Sequence, residues 1–165
     1  MFKNIETPRL SIRPMHITDA AFILELVNTE SWKKYIGDRK INNIKGSEQY
    51  ILEILRHPNY FYHIFELKQS KQPIGVVTFL YRATYDCPDI GFAILPNFEK
   101  CGYTFEASRA YLDSVLENKS IKKVAGITLP ENKNAISLLQ NLGLRYKEII
   151  THAEEQLLLF EITNE

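Results

Sequence analysis

Residues 96–107 read "PNFEKCGYTFEA", a strand-like run giving way to a helix-like one with Gly102 alone at the turn. The first turn of a helix carries unpaired N–H groups and partial positive charge, so a turn placed there can hold a phosphate without any basic side chain. A glycine lets the backbone approach such a ligand closely. The competing reading is an ordinary turn glycine, which is the commoner use of the residue. Metal chemistry has less to stand on. His16, His57, His63 and His152 lack the paired helical spacing of a zinc site, and neither Cys87 nor Cys101 stands among metal-ligand spacings. No metal is expected, and both cysteines are read as free thiols.

The elements that must position this turn belong to a chain of 165 residues with 45% hydrophobic content, which suits one domain over residues 1–165. Twenty acidic residues balance twenty basic ones, so no nucleic acid and no membrane surface is expected as a partner. No run approaches the roughly 18 consecutive apolar residues of a spanning helix. The opening "MFKNIETPRL" lacks the pattern of a signal peptide, so the expected location is cytoplasmic.

Period and punctuation give the order of elements. Residues 8–14 alternate as a half-buried strand, and Thr18 is a plausible cap for a helix carrying Phe22, Ile23, Leu26 and Val27 on one face. Residues 29–46 read as loop, and Ser47 as the cap of a helix reaching about Leu55. Residues 60–67 and 74–82 are β-branched and aromatic, and form a predicted antiparallel hairpin. A strand at 89–95 then precedes a helix from Gly102 to about Glu117, with Phe105, Leu112, Val115 and Leu116 as its apolar stripe. A strand at 122–129, a helix ended by Gly143 and strands near 144–150 and 156–162 complete the chain. The predicted fold class is α+β: one mixed sheet with helices on its faces and strand-loop-helix units at 89–117 and 122–142.

Three segments carry a resemblance. "IETPRLSIRPMHITDA", "DIGFAILPNFEKCGYTFEA" and "PENKNAISLLQNLGLRY" resemble, in order and spacing, motifs of the GNAT N-acetyltransferases of the RimJ/RimL-like branch. The resemblance covers nearly the whole chain. It implies a mostly antiparallel sheet flanked by helices, in which a splayed parallel strand pair forms a cleft for acetyl-CoA. Carried over by residue, it implies that backbone groups of Phe92 and Ile94 meet the pantetheine arm. The N–H groups of Lys100, Cys101, Gly102, Tyr103 and Thr104 would face the pyrophosphate, and the Asn132 amide the pantetheine. For Asn132 a helix cap is an equal reading.

The implied chemistry is acetyl transfer to a primary amine, on a small-molecule metabolite or a peptide or protein N-terminus. The acceptor ammonium must lose a proton before it attacks a thioester. Asp89, at the head of the cofactor strand, matches an acidic family position and is the candidate base; its other reading is a turn aspartate. Trp32 and Tyr35 are candidate walls of the acceptor pocket, against a packing role. The sequence also departs from the family pattern. Glu99 stands where the family has glutamine or arginine, Glu99-Lys100 replaces its aromatic-glycine pair, Thr104 replaces a small residue, Ala135 replaces a serine, and Leu139 stands where other branches place a thiolate-protonating tyrosine. Tyr103, Ser137 and Tyr146 are the nearby hydroxyl candidates for that acid. The alternative these departures favour is a non-catalytic acyl-CoA-binding or sensor protein. Monomer and homodimer are both compatible with the sequence.

Overall fold

The computed structural model describes residues 3–165. Its alternating runs become β1 (Ile5–Glu6), β2 (Leu10–Pro14), β3 (Tyr60–Leu67), β4 (Pro73–Leu80), β5 (Asp89–Ile94), β6 (Lys123–Thr128), β7 (Arg145–His152) and β8 (Glu155–Thr163). The helices are α1 (Ala20–Val27), α2 (Glu30–Tyr35), α3 (Ile44–Arg56), α4 (Tyr103–Leu116) and α5 (Lys133–Asn141). All eight strands form one mixed sheet in the order β1-β2-β3-β4-β5-β6-β8-β7. Every neighbouring pair is antiparallel except β5 and β6. This is the mixed, mostly antiparallel sheet flanked by helices expected from the sequence, including its parallel pair. Among the described residues no helix is long and apolar enough to cross a membrane.

Strand alternation distributes the core over both faces of the sheet. On one face Phe65, Val77 and Ile90 pack with Ala107, Tyr111, Leu112 and Val115 of α4. On the other, Ile64 and Val76 pack with Phe22, Ile23 and Leu26 of α1 and Ile51 and Ile54 of α3. Full burial of side chains of this size contributes about 1.5–3 kcal/mol each, so the two helix layers hold the central strands firmly.

Local corrections to the sequence reading have identifiable causes. Thr18 is not a cap: it lies inside a short 3-10 turn, Ile17–Asp19, where its N–H donates to His16 Nδ1. Asp19 instead accepts from His16 N and is paired with Arg13, tying β2 to the start of α1. Residues 29–46 are not all loop. Thr29 caps α2 by accepting from Trp32 N, and only Trp32 of that helix is buried, so no apolar stripe advertised it. Asn43, not Ser47, caps α3; Ser47 is buried within it and donates to the Ala20 carbonyl. Phe105 leaves the stripe of α4 and is 40% exposed, because the buried face runs through residues 107, 108, 111, 112 and 115.

Candidate active site

The parallel pair is barely a pair. β5 and β6 share one registered position, Asp89 with Ala125, anchored by the Ala125 N–H on the Pro88 carbonyl. Beyond it the strands part. The orientation of the freed peptide groups follows from alternation. Leu95 N donates to Ile74 of β4 and Pro88 O accepts from β6, so the odd-numbered residues of β5 face β4 and the even-numbered ones face the gap. The N–H and C=O groups of Phe92 and Ile94, beyond that one bridge, therefore line a V-shaped cleft of about 740 Å³.

At the mouth of the V the chain curls. Lys100 (φ 59°) and Gly102 (φ 80°) both adopt the left-handed region that favours glycine, and Gly102 is the N-cap of α4. No N–H group from Lys100 to Phe105 has a protein acceptor among the described residues; the first helical bond there is Glu106 N to Gly102 O. Unpaired donors at a helix N-terminus, curled into a concavity, are what a phosphate requires. The curl is held from outside by a residue pair the sequence reading missed. Arg9 Nη1 donates to the Cys101 carbonyl at 2.9 Å, its guanidinium lies over the Tyr103 ring, and its Nε donates to Glu106 at 2.7 Å. Glu106 also accepts from Arg9 N and from the Thr7 hydroxyl.

The second strand-loop-helix unit closes the other wall. Gly126 of β6 lets α5 approach: a Cβ there would come within 2.4 Å of Leu139, which is buried. The tyrosine of other branches is thus replaced by a side chain packed on β6. Asn132 resolves its two readings in an unexpected way. Its Oδ1 accepts from Ala135 N as a cap, while its Nδ2 has no protein acceptor among the described residues and the residue lines the cleft. One amide can serve both roles, because the cap uses only the oxygen.

Asp89 stands at the foot of the V, 5% exposed, and accepts from Arg82 Nε at 2.7 Å through Oδ1. Burial pushes its carboxyl up from the usual range, and the charge and hydrogen bond of Arg82 only partly offset this. For Arg82 the balance is reversed: burial alone lowers it, yet Asp89 outweighs that and leaves the guanidinium raised. The difference follows from exposure, since the Arg82 side chain is 45% exposed and that of Asp89 7%. A carboxyl with a raised pKa in a cleft is suited to proton transfer near neutral pH.

The cleft gathers Trp32, Tyr35, Asp89, Phe92, Ile94, Lys100, Gly102, Tyr103, Thr104 and Asn132. Cys101 does not line it; its thiol is exposed and directed to the Glu99 carbonyl. Of the hydroxyl candidates, Tyr103 and Ser137 line the cleft, whereas Tyr146 sits 53% exposed on β7 against Phe160. Arg39, Tyr62, Arg82, Tyr85, His152 and Glu155 line it too and were not expected. No spacing rule could have found them, since they come from four separate segments.

A shallower depression of about 630 Å³ lies between residues 84–86 and the β7–β8 hairpin. Beside it Asp86, Cys87 and Glu161 come within 4.8 Å of one another, a grouping that the sequence spacing did not show. Lys123 already supplies the cation, reaching Asp86 at 3.1 Å and Glu161 at 3.3 Å. Burial pushes the Cys87 thiol up to about 11, away from the thiolate a metal needs.

A splayed parallel pair with free edge peptides, closed by a donor-rich turn at a helix head, forms a cleft that offers backbone hydrogen bonds along one wall and phosphate-type donors at its mouth. The family described as "Acetyltransferase (GNAT) domain" matches residues 9–145, and the chain belongs to that family of N-acetyltransferases. Among curated proteins it is 23% identical over 151 residues to the uncharacterized N-acetyltransferase YnaD of Bacillus subtilis (strain 168), covering 86% of this chain and 82% of YnaD. Among solved structures it is similar to the ribosomal-protein-S5-alanine acetyltransferase of Vibrio fischeri. That likeness has a TM-score of 0.83 at 18% identity, over 99% of this chain and 98% of the other. It is also similar to RimL, a ribosomal L7/L12 alpha-N-protein acetyltransferase solved with coenzyme A, with a TM-score of 0.85 at 10% identity over 98% of both chains.

Proposed function

We propose that this chain transfers the acetyl group of acetyl-CoA to a primary amine, on a protein N-terminus or a small metabolite. The observation that carries the reading is the set of unpaired N–H groups from Lys100 to Phe105 at the head of α4, continuous with the free edge of β5. The coenzyme A complex of RimL and the peptide acceptors in the names of both ribosomal-protein acetyltransferases support it. Such an enzyme would work in the cytoplasm.

Acetyl-CoA supplies a thioester carbonyl. The chain supplies the rest: peptide groups of Phe92 and Ile94 and the Asn132 Nδ2 for the pantetheine amides, and N–H groups of Lys100 to Thr104 for the pyrophosphate. Asp89, with Oδ2 free of protein donors among the described residues, takes a proton from the acceptor ammonium through water. As the N–C bond forms the C–S bond breaks, and the departing sulfur takes a proton from the cleft, where the hydroxyls of Tyr62, Tyr85, Tyr103 and Ser137 are among the donors that line it. Burial holds the Tyr62 and Tyr85 phenols above their ordinary range, so both stay protonated at neutral pH.

Calorimetry with coenzyme A and acetyl transfer to a panel of amines and N-terminal peptides test this together. Saturation near 100 times Kd should stabilise the fold by about 2.7 kcal/mol. Asp89→Asn should keep coenzyme A affinity and lower turnover about 10²-fold or more, with partial recovery at high pH where the acceptor is already deprotonated. Absence of both heat and thermal shift at millimolar coenzyme A would sink the cofactor reading. Binding without turnover of any amine would favour the sensor.

A further inference from the structure

The acceptor end of the cleft, opposite the pyrophosphate turn, has an unusual surplus of hydrogen-bond donors. Arg82 spends only its Nε on Asp89, and neither of its terminal nitrogens has a protein acceptor among the described residues. Arg39 follows α2 in an exposed segment, with its guanidinium over the Trp32 ring at 5.9 Å and no carboxylate partner among the described residues. Arg39 and Arg82 both line the cleft with Tyr62, and the charge of each opposes the burial that raises the Tyr62 hydroxyl. Trp32, 3% exposed, adds an indole Nε1 with no acceptor among the described residues. A buried donor left unpaired is costly, which favours a ligand that supplies the acceptor. The carboxylates of this end do not supply the missing acceptors. Asp89 is already engaged by Arg82, and Glu155 lines the cleft from the opposite hairpin beside His152.

We infer that the acceptor is an amine that also carries a carboxylate, and that Arg39 and Arg82 hold that carboxylate. This rests on the acetyltransferase reading and narrows it. A guanidinium fork matches a carboxylate in two parallel hydrogen bonds, which a neutral amide cannot reproduce. The acceptor ammonium then lies toward Glu155 and the free Oδ2 of Asp89, so both charges of the substrate meet opposite charges within one pocket. A neutral alkylamine or a basic N-terminus leaves the Arg39 guanidinium and the terminal nitrogens of Arg82 without an acceptor. Arg39 is the specificity-determining residue of the pair, because Arg82 also orients Asp89.

Matched acid and amide acceptors separate these cases: 4-aminobutyrate against 4-aminobutyramide for a small acceptor, and a Glu-Ala-Ala amide against a Gln-Ala-Ala amide for a peptide N-terminus. In at least one pair the acid should have a KM about tenfold lower or better than its amide. Arg39→Gln should abolish that preference by raising the KM of the acid to that of the amide. The same pairs titrated calorimetrically into the coenzyme A-loaded protein read the carboxylate site without turnover. Acid preference in binding with no turnover of any amine would remove acetyl transfer and keep the carboxylate site. Acid and amide equal in turnover and binding, or a preference that survives Arg39→Gln, would overturn the inference and leave acetyl transfer untouched.

Discussion

Gly102 concentrates two demands on one residue. Its φ of 80° is costly for any side chain, while a Cβ there would meet only Arg9 Nη2, at 3.4 Å, an ordinary contact. Backbone conformation, not space, is therefore what excludes other residues. Gly102→Ala should lower stability by about 1–2 kcal/mol in chemical denaturation. Gly102→Glu should show a similar loss and also abolish coenzyme A binding, because it brings a negative charge to donors that serve a phosphate. Calorimetry on the two variants separates the effects, and retained affinity in Gly102→Glu would mean that the phosphate lies elsewhere. Gly102 and Asn132 were legible in the sequence because their roles are local, a turn and a cap. Arg9 and Glu106 were not, because they are 97 positions apart and only the folded chain pairs them. Arg82 was hidden for another reason, since nothing near residue 82 in the sequence marks it as the partner of Asp89.

Among the elements, long amphipathic ones declared themselves and short ones did not. α4 was legible from its apolar period, and both strand-loop-helix units fell where expected. The six residues of α2 bury a single side chain, so the segment has no period to read. The start of α3 was misplaced because Asn43 caps it just ahead of Gly46, a residue that resembles a break. How elements hold one another also bears on the site. Glu106, in the first turn of α4, accepts from Thr7 and Arg9 in the segment before β2, so two elements meet at the root of the curl. Glu106→Gln should keep the fold but weaken coenzyme A binding about tenfold, as loss of one well-placed charge-assisted bond does. Unchanged calorimetric affinity would show that the curl keeps its shape without Arg9.

The whole molecule responds to acid through its centre. His63 of β3 is 2% exposed beside the Tyr111 ring, and burial pushes its imidazole down to about 4. The fold thus favours neutral His63: its contribution is complete above the ordinary value of about 6.5 and is lost as pH falls through 4, up to roughly 3 kcal/mol. Denaturation midpoints at pH 7, 5.5 and 4.5 should fall in that order, and His63→Phe should flatten the slope. An equal slope in the variant would assign the acid sensitivity to carboxylates. The sheet as a whole has a seam. Five strands from β1 to β5 form one leaf and β6, β8 and β7 another, joined along their edges by a single registered residue pair. Anything that bonds to the bare edge of β5 in the gap acts as a substitute strand. Occupancy of the cleft would therefore be felt as tension across the seam, in amide exchange far from any ligand contact, with the smaller leaf slowing as the gap is filled.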